Sequence, residues 1–234
     1  MTENSSTMKV LRPGEGVSRV GLFGGTFDPV HLGHLRVVLD VKAAFGLEKI
    51  IVIPSAVPPH KTLKHVSDAD DRLAMTRICF ENRPGFVVSD VELNRRGPSY
   101  TIDTITHFRT LKRDDESLML IMGTDAFFEL HTWRSYKDIL AAVPLIVMKR
   151  PGLDGDLLES AELYLKSRVD QGWCYDPGAE CFAHPMFMPV FVHEVCQMDE
   201  SSTEIRRRIK NNLDVSAFLL PGVTAYIGKK GLYR

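Results

Sequence analysis

The 234-residue sequence predicts an α/β protein with a doubly wound parallel sheet, because strand and helix signals alternate along most of its length. Ile50–Ile53 is an unbroken β-branched run, which is typical of a strand covered on both faces. Leu35, Val38 and Leu39 recur at helical spacing after a first apolar run at Val20–Phe23. Successive strand candidates are roughly 20–30 residues apart, which leaves room for a crossover helix between parallel strands.

The later elements continue this alternation. Asp70–Phe80 predicts a helix whose acidic first turn suits the positive end of the helix dipole, and Phe86–Val88 predicts a strand. Ser99 is the predicted N-cap of the next helix. The other strand candidates are Leu118–Met122, Leu145–Met148 and, last in the chain, Val190–Val192.

The chain is predicted to form one domain over residues 18–234, preceded by a polar, frayed tail at residues 1–17. Pro54–Asp68 contains several prolines and no periodic pattern, so we expect an ordered surface loop. Residues 152–189 are rich in Gly and Pro at their ends and are expected to be a variable insertion with a helical centre at Leu157–Val169. Residues 190–234 would then complete the domain.

Composition excludes several classes of protein. The 29 basic and 30 acidic residues give a net charge of −1, which argues against a general nucleic-acid binder. The longest apolar stretch, Ile139–Met148, is interrupted by Pro144 and is too short to span a membrane. We therefore expect a cytoplasmic protein that acts on small molecules; a homo-oligomer is compatible with the sequence.

The cysteines do not form a recognisable metal motif. Structural zinc sites usually contain a close Cys-x-x-Cys pair, and this chain has none. We therefore predict no dedicated metal site and reduced thiols. The residues concerned are Cys79, Cys174, Cys181 and Cys196, with His184 and His193 nearby in sequence.

The segment Gly24–His34 carries the main functional signal. It reads Gly-Gly-Thr-Phe-Asp-Pro-Val-His-Leu-Gly-His and joins the first strand to a helix starting near Leu32. In open parallel sheets, ligands bind beyond the carboxyl ends of the strands, and a helix start attracts anions. His31 and His34 occupy neighbouring positions on the first helical turn and can donate hydrogen bonds to phosphate oxygens. The pattern predicts a phosphate site.

The alternative is a strand–turn–helix with two incidental histidines. The paired glycines, Asp28-Pro29 and the strand and helix on either side favour the functional interpretation. The segment is not a Walker A loop, because no Gly-Lys-Ser/Thr follows, and it lacks the Gly-x-Gly-x-x-Gly pattern of dinucleotide-binding folds.

A second helix start lies at Ser201–Arg206, with the sequence Ser-Ser-Thr-Glu-Ile-Arg. Serine and threonine are good helix caps, so a purely structural role is the alternative. Hydroxyls and an arginine at a helix N-terminus also suit a polyphosphate.

These two motifs together resemble the nucleotidylyltransferase superfamily with a His-x-Gly-His signature, and in particular the bacterial nicotinate-nucleotide adenylyltransferases. The resemblance runs from about Val20 to Arg234 and is weakest over residues 152–189. It implies the Rossmann-like fold of that family and catalytic roles for His31 and His34. The implied ATP-binding residues are Gly24, Gly25, Thr26, His31, His34, Gly123, Asp125, Ser202, Thr203 and Arg206.

The same resemblance implies a substrate pocket. Lys61, in a proline-rich loop, would reach substrate phosphate, and Thr101 would meet the nicotinate carboxylate through backbone N–H groups. Trp133 would stack on the pyridine ring, and Arg150 would complete the substrate-binding set. From the residues alone, Lys61 is an ordinary loop lysine, Thr101 part of a simple helix start and Trp133 a packing residue.

The implied reaction joins ATP to nicotinate mononucleotide and gives deamido-NAD and pyrophosphate, a step of NAD biosynthesis. Mg²⁺ is expected to arrive with the ATP phosphates. The alternatives are a sibling transferase acting on, for example, phosphopantetheine, and a catalytically silent nucleotide-binding regulator. A nucleic-acid ligase is disfavoured, because the chain has no basic extension.

Overall fold

A computed structural model of the chain describes residues 17–56, 66–95, 97–149, 156–195 and 201–234. These residues form an eight-stranded sheet and eight α-helices. The strands are β1 (Ser18–Gly25), β2 (Lys49–Pro54), β3 (Phe86–Val88), β4 (Glu116–Gly123), β5 (Leu145–Lys149), β6 (Cys174–Asp176), β7 (Cys181–Ala183) and β8 (Val190–Glu194). The helices are α1 (Leu32–Ala44), α2 (Ala69–Phe80), α3 (Thr101–Leu111), α4 (Thr124–Phe128), α5 (Tyr136–Ala142), α6 (Leu157–Tyr164), α7 (Ser202–Lys210) and α8 (Pro221–Lys230).

The order of the strands is β3-β2-β1-β4-β5-β8-β7-β6. The first six strands in this order are parallel, and the hairpin of β6 and β7 continues the sheet in antiparallel fashion beyond β8. The chain proceeds outward from β1 to β3 and then returns to the other side of β1 with β4. This reversal of strand order creates a crevice at the carboxyl ends of β1 and β4, which is where open α/β sheets bind ligands.

Helices cover both faces of the sheet, as the sequence predicts. The apolar run of β4 shows why a continuous hydrophobic strand requires this. Leu118, Leu120 and Met122 contribute to one core cluster, whereas Met119 and Ile121 contribute to the other. Because successive side chains of a strand point to opposite faces, both faces of β4 need a cover. Helices α3 to α6 supply it on the first face, and α1, α2, α7 and α8 supply it on the second.

Helix α1 starts where its sequence predicts, with His31 in extended conformation as the N-cap. It ends at Ala44, two residues before Gly46, which adopts a left-handed φ of +58°. The predicted cap at Ser99 is wrong. Helix α3 begins after Tyr100 and has no side-chain cap, because the buried Ser99 hydroxyl instead accepts a hydrogen bond from Arg95 Nη1 at 3.2 Å.

The expected insertion contributes more than a loop in its described part. Residues 157–169 are helical as expected, with α6 followed by a π turn at Leu165–Val169. The β6–β7 hairpin was not predicted. Trp173, just before it, is 1% exposed and belongs to the same core cluster as α6. The segment therefore covers part of the sheet rather than projecting from it. The loop predicted at Pro54–Asp68 lies mostly outside the described residues.

Candidate active site

A cavity of about 660 Å³ occupies the crevice between the carboxyl ends of β1 and β4. Its size falls in the range of small-molecule sites. Seven residues predicted from the sequence line it: Gly24, Gly25, Thr26, Thr101, Gly123, Asp125 and Trp133. The structure thus brings together residues that are more than 100 positions apart in the chain.

The five other described residues of the predicted site form a second group, which we call the histidine cluster: His31, His34, Ser202, Thr203 and Arg206. They do not line the cavity. The chain leads from the cavity wall at Thr26 directly into this cluster, and the two groups therefore adjoin each other.

The two histidines lie close together at the start of α1. Their ring centroids are 3.8 Å apart, and the backbone N–H of His31 donates to Nδ1 of His34 at 3.3 Å. His31 is 6% exposed, and the His34 ring also meets the edge of Phe27 at 5.1 Å. Packing and hydrogen bonding thus hold both rings in place before any ligand arrives.

Glycine is required at position 25 because the ring of Phe27 lies close to its backbone. A Cβ atom at Gly25 would lie 2.7 Å from the ring of Phe27, whereas no atom lies within 4 Å of a Cβ placed at Gly24. Phe27 is itself held in a left-handed conformation with φ of 51°, which is uncommon for a residue with a side chain. The turn therefore depends on glycine at one position and leaves open space at the other.

Helix α7 contacts the segment that precedes the histidines. Ser202 Oγ donates to the carbonyl of Pro29 at 3.0 Å, and Arg206 Nη1 donates to the carbonyl of Asp28 at 2.6 Å. Arg206 Nη2 also donates to Thr203 Oγ1 at 3.2 Å, and Ser201 caps the helix by accepting from the N–H of Glu204. The second motif is therefore attached to the first, as a shared polyphosphate site requires.

The arginine that holds this region together is not predicted by any pattern in the sequence. Arg72, on α2, is 1% exposed. Its guanidinium donates to backbone carbonyls of Thr26, Ser55, Ala56 and Ser67 at 2.7–3.1 Å. Burial lowers the pKa of Arg72, and the nearby Asp28 carboxylate opposes that shift. No local pattern identifies such a residue, because its partners come from several segments.

The sequence predicts Asp28 only as part of the turn. In the structure its carboxylate is 4% exposed and accepts several hydrogen bonds. Tyr233 Oη donates to Asp28 Oδ1 at 2.7 Å, and the N–H of Ser67 lies 3.4 Å from both carboxylate oxygens. Burial raises the pKa of Tyr233, and its protonated phenol is the donor in this hydrogen bond. Asp28 thus connects the histidine cluster to the end of the chain.

The far wall of the cavity contains the predicted pyridine pocket. Trp133 is half-buried and packs against the core. The guanidinium of Arg134 lies 4.6 Å above the ring of Tyr100, and both residues line the cavity. Behind them, Thr104 Oγ1 donates to Glu92 at 2.8 Å. The wall therefore offers an aromatic surface with charged groups at its edge.

Two predicted substrate residues, Lys61 and Arg150, lie outside the described residues, as does Cys196. Among the residues that are described, no group of three His, Cys, Asp or Glu side chains is arranged to hold a metal ion. His184 instead bonds to Asp170 at 3.0 Å and stacks on Phe187. The described part of the chain also contains no helix with the length and hydrophobicity needed to cross a membrane.

Comparison with known proteins identifies the family of the chain. A family model described as cytidylyltransferase-like matches residues 22–208. A probable nicotinate-nucleotide adenylyltransferase of Desulfatibacillum aliphaticivorans is 37% identical over 219 residues, which cover 92% of this chain and 99% of that protein. One of Moorella thermoacetica is 37% identical over 225 residues, with 96% and 94% coverage.

Solved structures show the same fold at much lower sequence identity. Plasmodium falciparum nicotinic acid mononucleotide adenylyltransferase complexed with NaAD matches with a TM-score of 0.70 and 17% identity, over 92% of this chain and 97% of the other. The predicted Rossmann-like nucleotidylyltransferase fold is thereby confirmed. On the strength of the family model and the full-length relatives, the chain belongs to the cytidylyltransferase-like family and, within it, to the nicotinate-nucleotide adenylyltransferases.

Proposed function

We propose that this protein transfers the adenylyl group of ATP to nicotinate mononucleotide and releases pyrophosphate, the step that forms deamido-NAD in NAD biosynthesis. The observation that carries the proposal is the junction at Gly24–Thr26. There the cavity with the aromatic wall meets a cluster of two histidines and an arginine. A reaction that joins two nucleotides through their phosphates needs such a junction, with the reacting phosphates between the two groups.

In this reaction, a phosphate oxygen of the mononucleotide attacks the α-phosphorus of ATP. The bond from that phosphorus to the oxygen of the β-phosphate breaks, and pyrophosphate leaves. Transfers of this type require positioning and charge stabilisation rather than a protein nucleophile. His31 and His34 donate to the triphosphate and stabilise charge that develops at the α-phosphate. Ser202, Thr203 and Arg206 hold the leaving pyrophosphate.

The cavity accommodates the other parts of the substrates. Asp125 follows β4 at the place where a carboxylate can bind ribose hydroxyls. Trp133 stacks on the pyridine ring, and backbone N–H groups near Thr101 meet the nicotinate carboxylate. Gly24, Gly25 and Gly123 allow the close approach of ATP. Lys61 and Arg150 supply further positive charge to the substrate phosphate.

The described acidic residues are not arranged as a set of protein ligands for Mg²⁺, which fits an ion that is carried by ATP. Asp28 is the buried carboxylate next to the histidine cluster, and Tyr233 and Ser67 already donate hydrogen bonds to it. Mg²⁺ commonly takes most of its ligands from phosphate and water, and it supplies neutralisation of the phosphate charge. The protein's own residues orient the phosphates and donate hydrogen bonds to them. Both substrates are water-soluble, which supports the predicted cytoplasmic location.

Product analysis tests the proposal. In three separate reactions, the protein is mixed with ATP, Mg²⁺ and one acceptor: nicotinate mononucleotide, nicotinamide mononucleotide or phosphopantetheine. The products are resolved by liquid chromatography and mass spectrometry. We expect deamido-NAD and one equivalent of pyrophosphate from the nicotinate substrate. Dephospho-coenzyme A as the main product would identify a sibling transferase, and no product from any acceptor would leave a binding protein.

A further inference from the structure

Asp28 is the point where distant parts of the chain meet the histidine cluster. Its carbonyl accepts from Arg206 of α7, and its carboxylate accepts from Ser67, which precedes α2, and from Tyr233 near the end of the chain. His31 follows three residues later. A displacement of Asp28 is therefore transmitted through a short stretch of backbone to the group that donates to the triphosphate.

Tyr233 reaches Asp28 because of how α8 ends. Gly231 adopts a left-handed φ of +66°, and the N–H of Leu232 bonds back to the carbonyl of Ile227 at 3.1 Å. This glycine termination turns the chain back on the helix and directs Tyr233 toward the segment Gly24–His34. Tyr233 is also in a left-handed conformation, with φ of 65°. A residue with a side chain adopts this conformation only when its surroundings hold it there.

We infer that Tyr233 is a positioning residue for adenylyl transfer, whose hydroxyl fixes the Asp28 carboxylate and thereby the placement of His31 and His34. The inference rests on the proposed function. The inference goes beyond the proposed function, because Tyr233 need not touch substrate and lies outside both Gly24–His34 and Ser201–Arg206. The geometry required of a reacting site explains why one hydrogen bond at this place matters: a misplacement of about 1 Å can reduce a rate about a hundredfold.

A second tyrosine provides a matched comparison. Tyr226, on α8, donates to Asp71 Oδ1 on α2, also at 2.7 Å. Lys230 reaches the same carboxylate at 3.2 Å. Both tyrosines thus lie near the end of the chain and donate to an aspartate. The Asp71 contact joins α8 to α2, whereas Asp28 belongs to the segment Gly24–His34. Removing the hydroxyl of each tyrosine in turn, and comparing the effects on kcat, therefore separates attachment of the C-terminal segment from positioning of the site.

The experiment compares Tyr233→Phe with Tyr226→Phe in the full-length protein. Each change removes one hydroxyl. For Tyr233→Phe we expect kcat with ATP and nicotinate mononucleotide to fall at least about tenfold, with KM for nicotinate mononucleotide within about twofold of the original value. For Tyr226→Phe we expect kcat within about twofold. Melting temperatures are followed by circular dichroism, and assays are run below the lowest of them.

A second measurement does not depend on turnover. The imidazole resonances of His31 and His34, assigned with the His31→Gln and His34→Gln variants, are followed by two-dimensional ¹⁵N–¹H NMR. We expect them to shift in Tyr233→Phe and to stay in place in Tyr226→Phe. If wild-type protein makes no deamido-NAD while the shifts appear, the proposed function fails, and only the placement of His31 and His34 by Tyr233 stands. Unshifted histidines with unchanged kcat, or equal losses in both variants, would overturn the inference.

Discussion

The backbone N–H of His31 donates to Nδ1 of His34, with 3.3 Å between the two nitrogens. An imidazole nitrogen that accepts a hydrogen bond carries no proton, so in the neutral ring the proton resides on Nε2. The neutral His34 ring therefore carries its N–H donor at Nε2. The backbone contact thus selects the tautomer in which Nε2 can donate to the phosphate ligand that we propose.

His34→Ala is expected to lower kcat by about two orders of magnitude or more, since it removes a donor aimed at charge that develops in the transition state. Steady-state assays with ATP and nicotinate mononucleotide measure the loss, and thermal melts measure the fold. His107→Ala is the control, because His107 lies on α3 on the opposite face of the sheet. Near-normal turnover in His34→Ala would remove His34 from the mechanism.

The paired glycines should respond differently to alanine. Gly25→Ala places a methyl group 2.7 Å from the Phe27 ring, and overpacking of this kind costs about 1–3 kcal/mol. Gly24→Ala meets no atom within 4 Å, so its melting temperature should not change. We expect Gly24→Ala instead to raise KM for ATP, because the methyl group occupies the approach of the ligand. Equal melting temperatures for the two variants would contradict this account.

Arg206→Ala is expected to raise KM for ATP and to reduce kcat, since the side chain both holds the Asp28 carbonyl and provides charge for pyrophosphate. Arg207→Ala is the matched control one residue away. Arg207 makes a two-point contact with Glu204 on the exposed side of α7, at 2.7 Å for each pair. Initial rates over a range of ATP concentrations compare the variants. An unaltered ATP dependence in Arg206→Ala would exclude its role.

Arg72→Lys keeps the charge and loses the planar set of donors. Lysine cannot reproduce bonds to four carbonyls from separate segments, and unsatisfied buried carbonyls cost free energy. We expect a loss of about 2–3 kcal/mol in the free energy of unfolding, measured by urea denaturation. Arg83→Lys, which loses a bond to the single carbonyl of Cys79, should lose less. Equal stability of the two variants would show that Arg72 does not hold the region together.

Thiol labelling tests the reduced state and burial of the cysteines. Burial raises the pKa of Cys79 to about 12 and that of Cys181 to about 11. Because the thiolate is the reactive form and appears only as pH approaches the pKa, both should resist alkylation at pH 8. Of the three cysteines that the structure describes, Cys174 is exposed and should react first, as followed by peptide mapping with mass spectrometry. Rapid native-state labelling of Cys79 would contradict the burial.

Much of the sheet could be predicted because its signals are local. The continuous apolar run within β4 is long enough to indicate a strand covered on both faces, and two glycines form the end of β1. By contrast, β6 and β7 are as short as β3 but lack its Phe-Val-Val run: their sequences, Cys-Tyr-Asp and Cys-Phe-Ala, contain no β-branched residue. Ser99 shows the limit of capping rules: a serine before a helix can be recruited by a neighbouring arginine instead.

The residues that we propose to contact phosphate could be named as candidates from sequence, but those that hold them in place could not. His31 and His34 belong to one continuous motif with a recognisable spacing. Arg72 resembles any charged residue of a surface helix, and its burial depends on carbonyls from segments that only the fold brings near. Tyr233 is likewise informative only once α8 has been placed on α2. Positioning depends on long-range contacts, which leave no periodic trace in the sequence.

The β6–β7 hairpin has a consequence for solubility. It pairs with β8, whose sequence Val-Phe-Val-His-Glu would otherwise form an open sheet edge able to add strands from other molecules. The new edge, β6, is only three residues long and ends in a tight turn where Asp176 accepts from the N–H of Gly178. Shortening the chain between α6 and β8 would remove none of the described residues that we propose to bind phosphate, yet we expect the exposed edge of β8 to make the protein prone to aggregate.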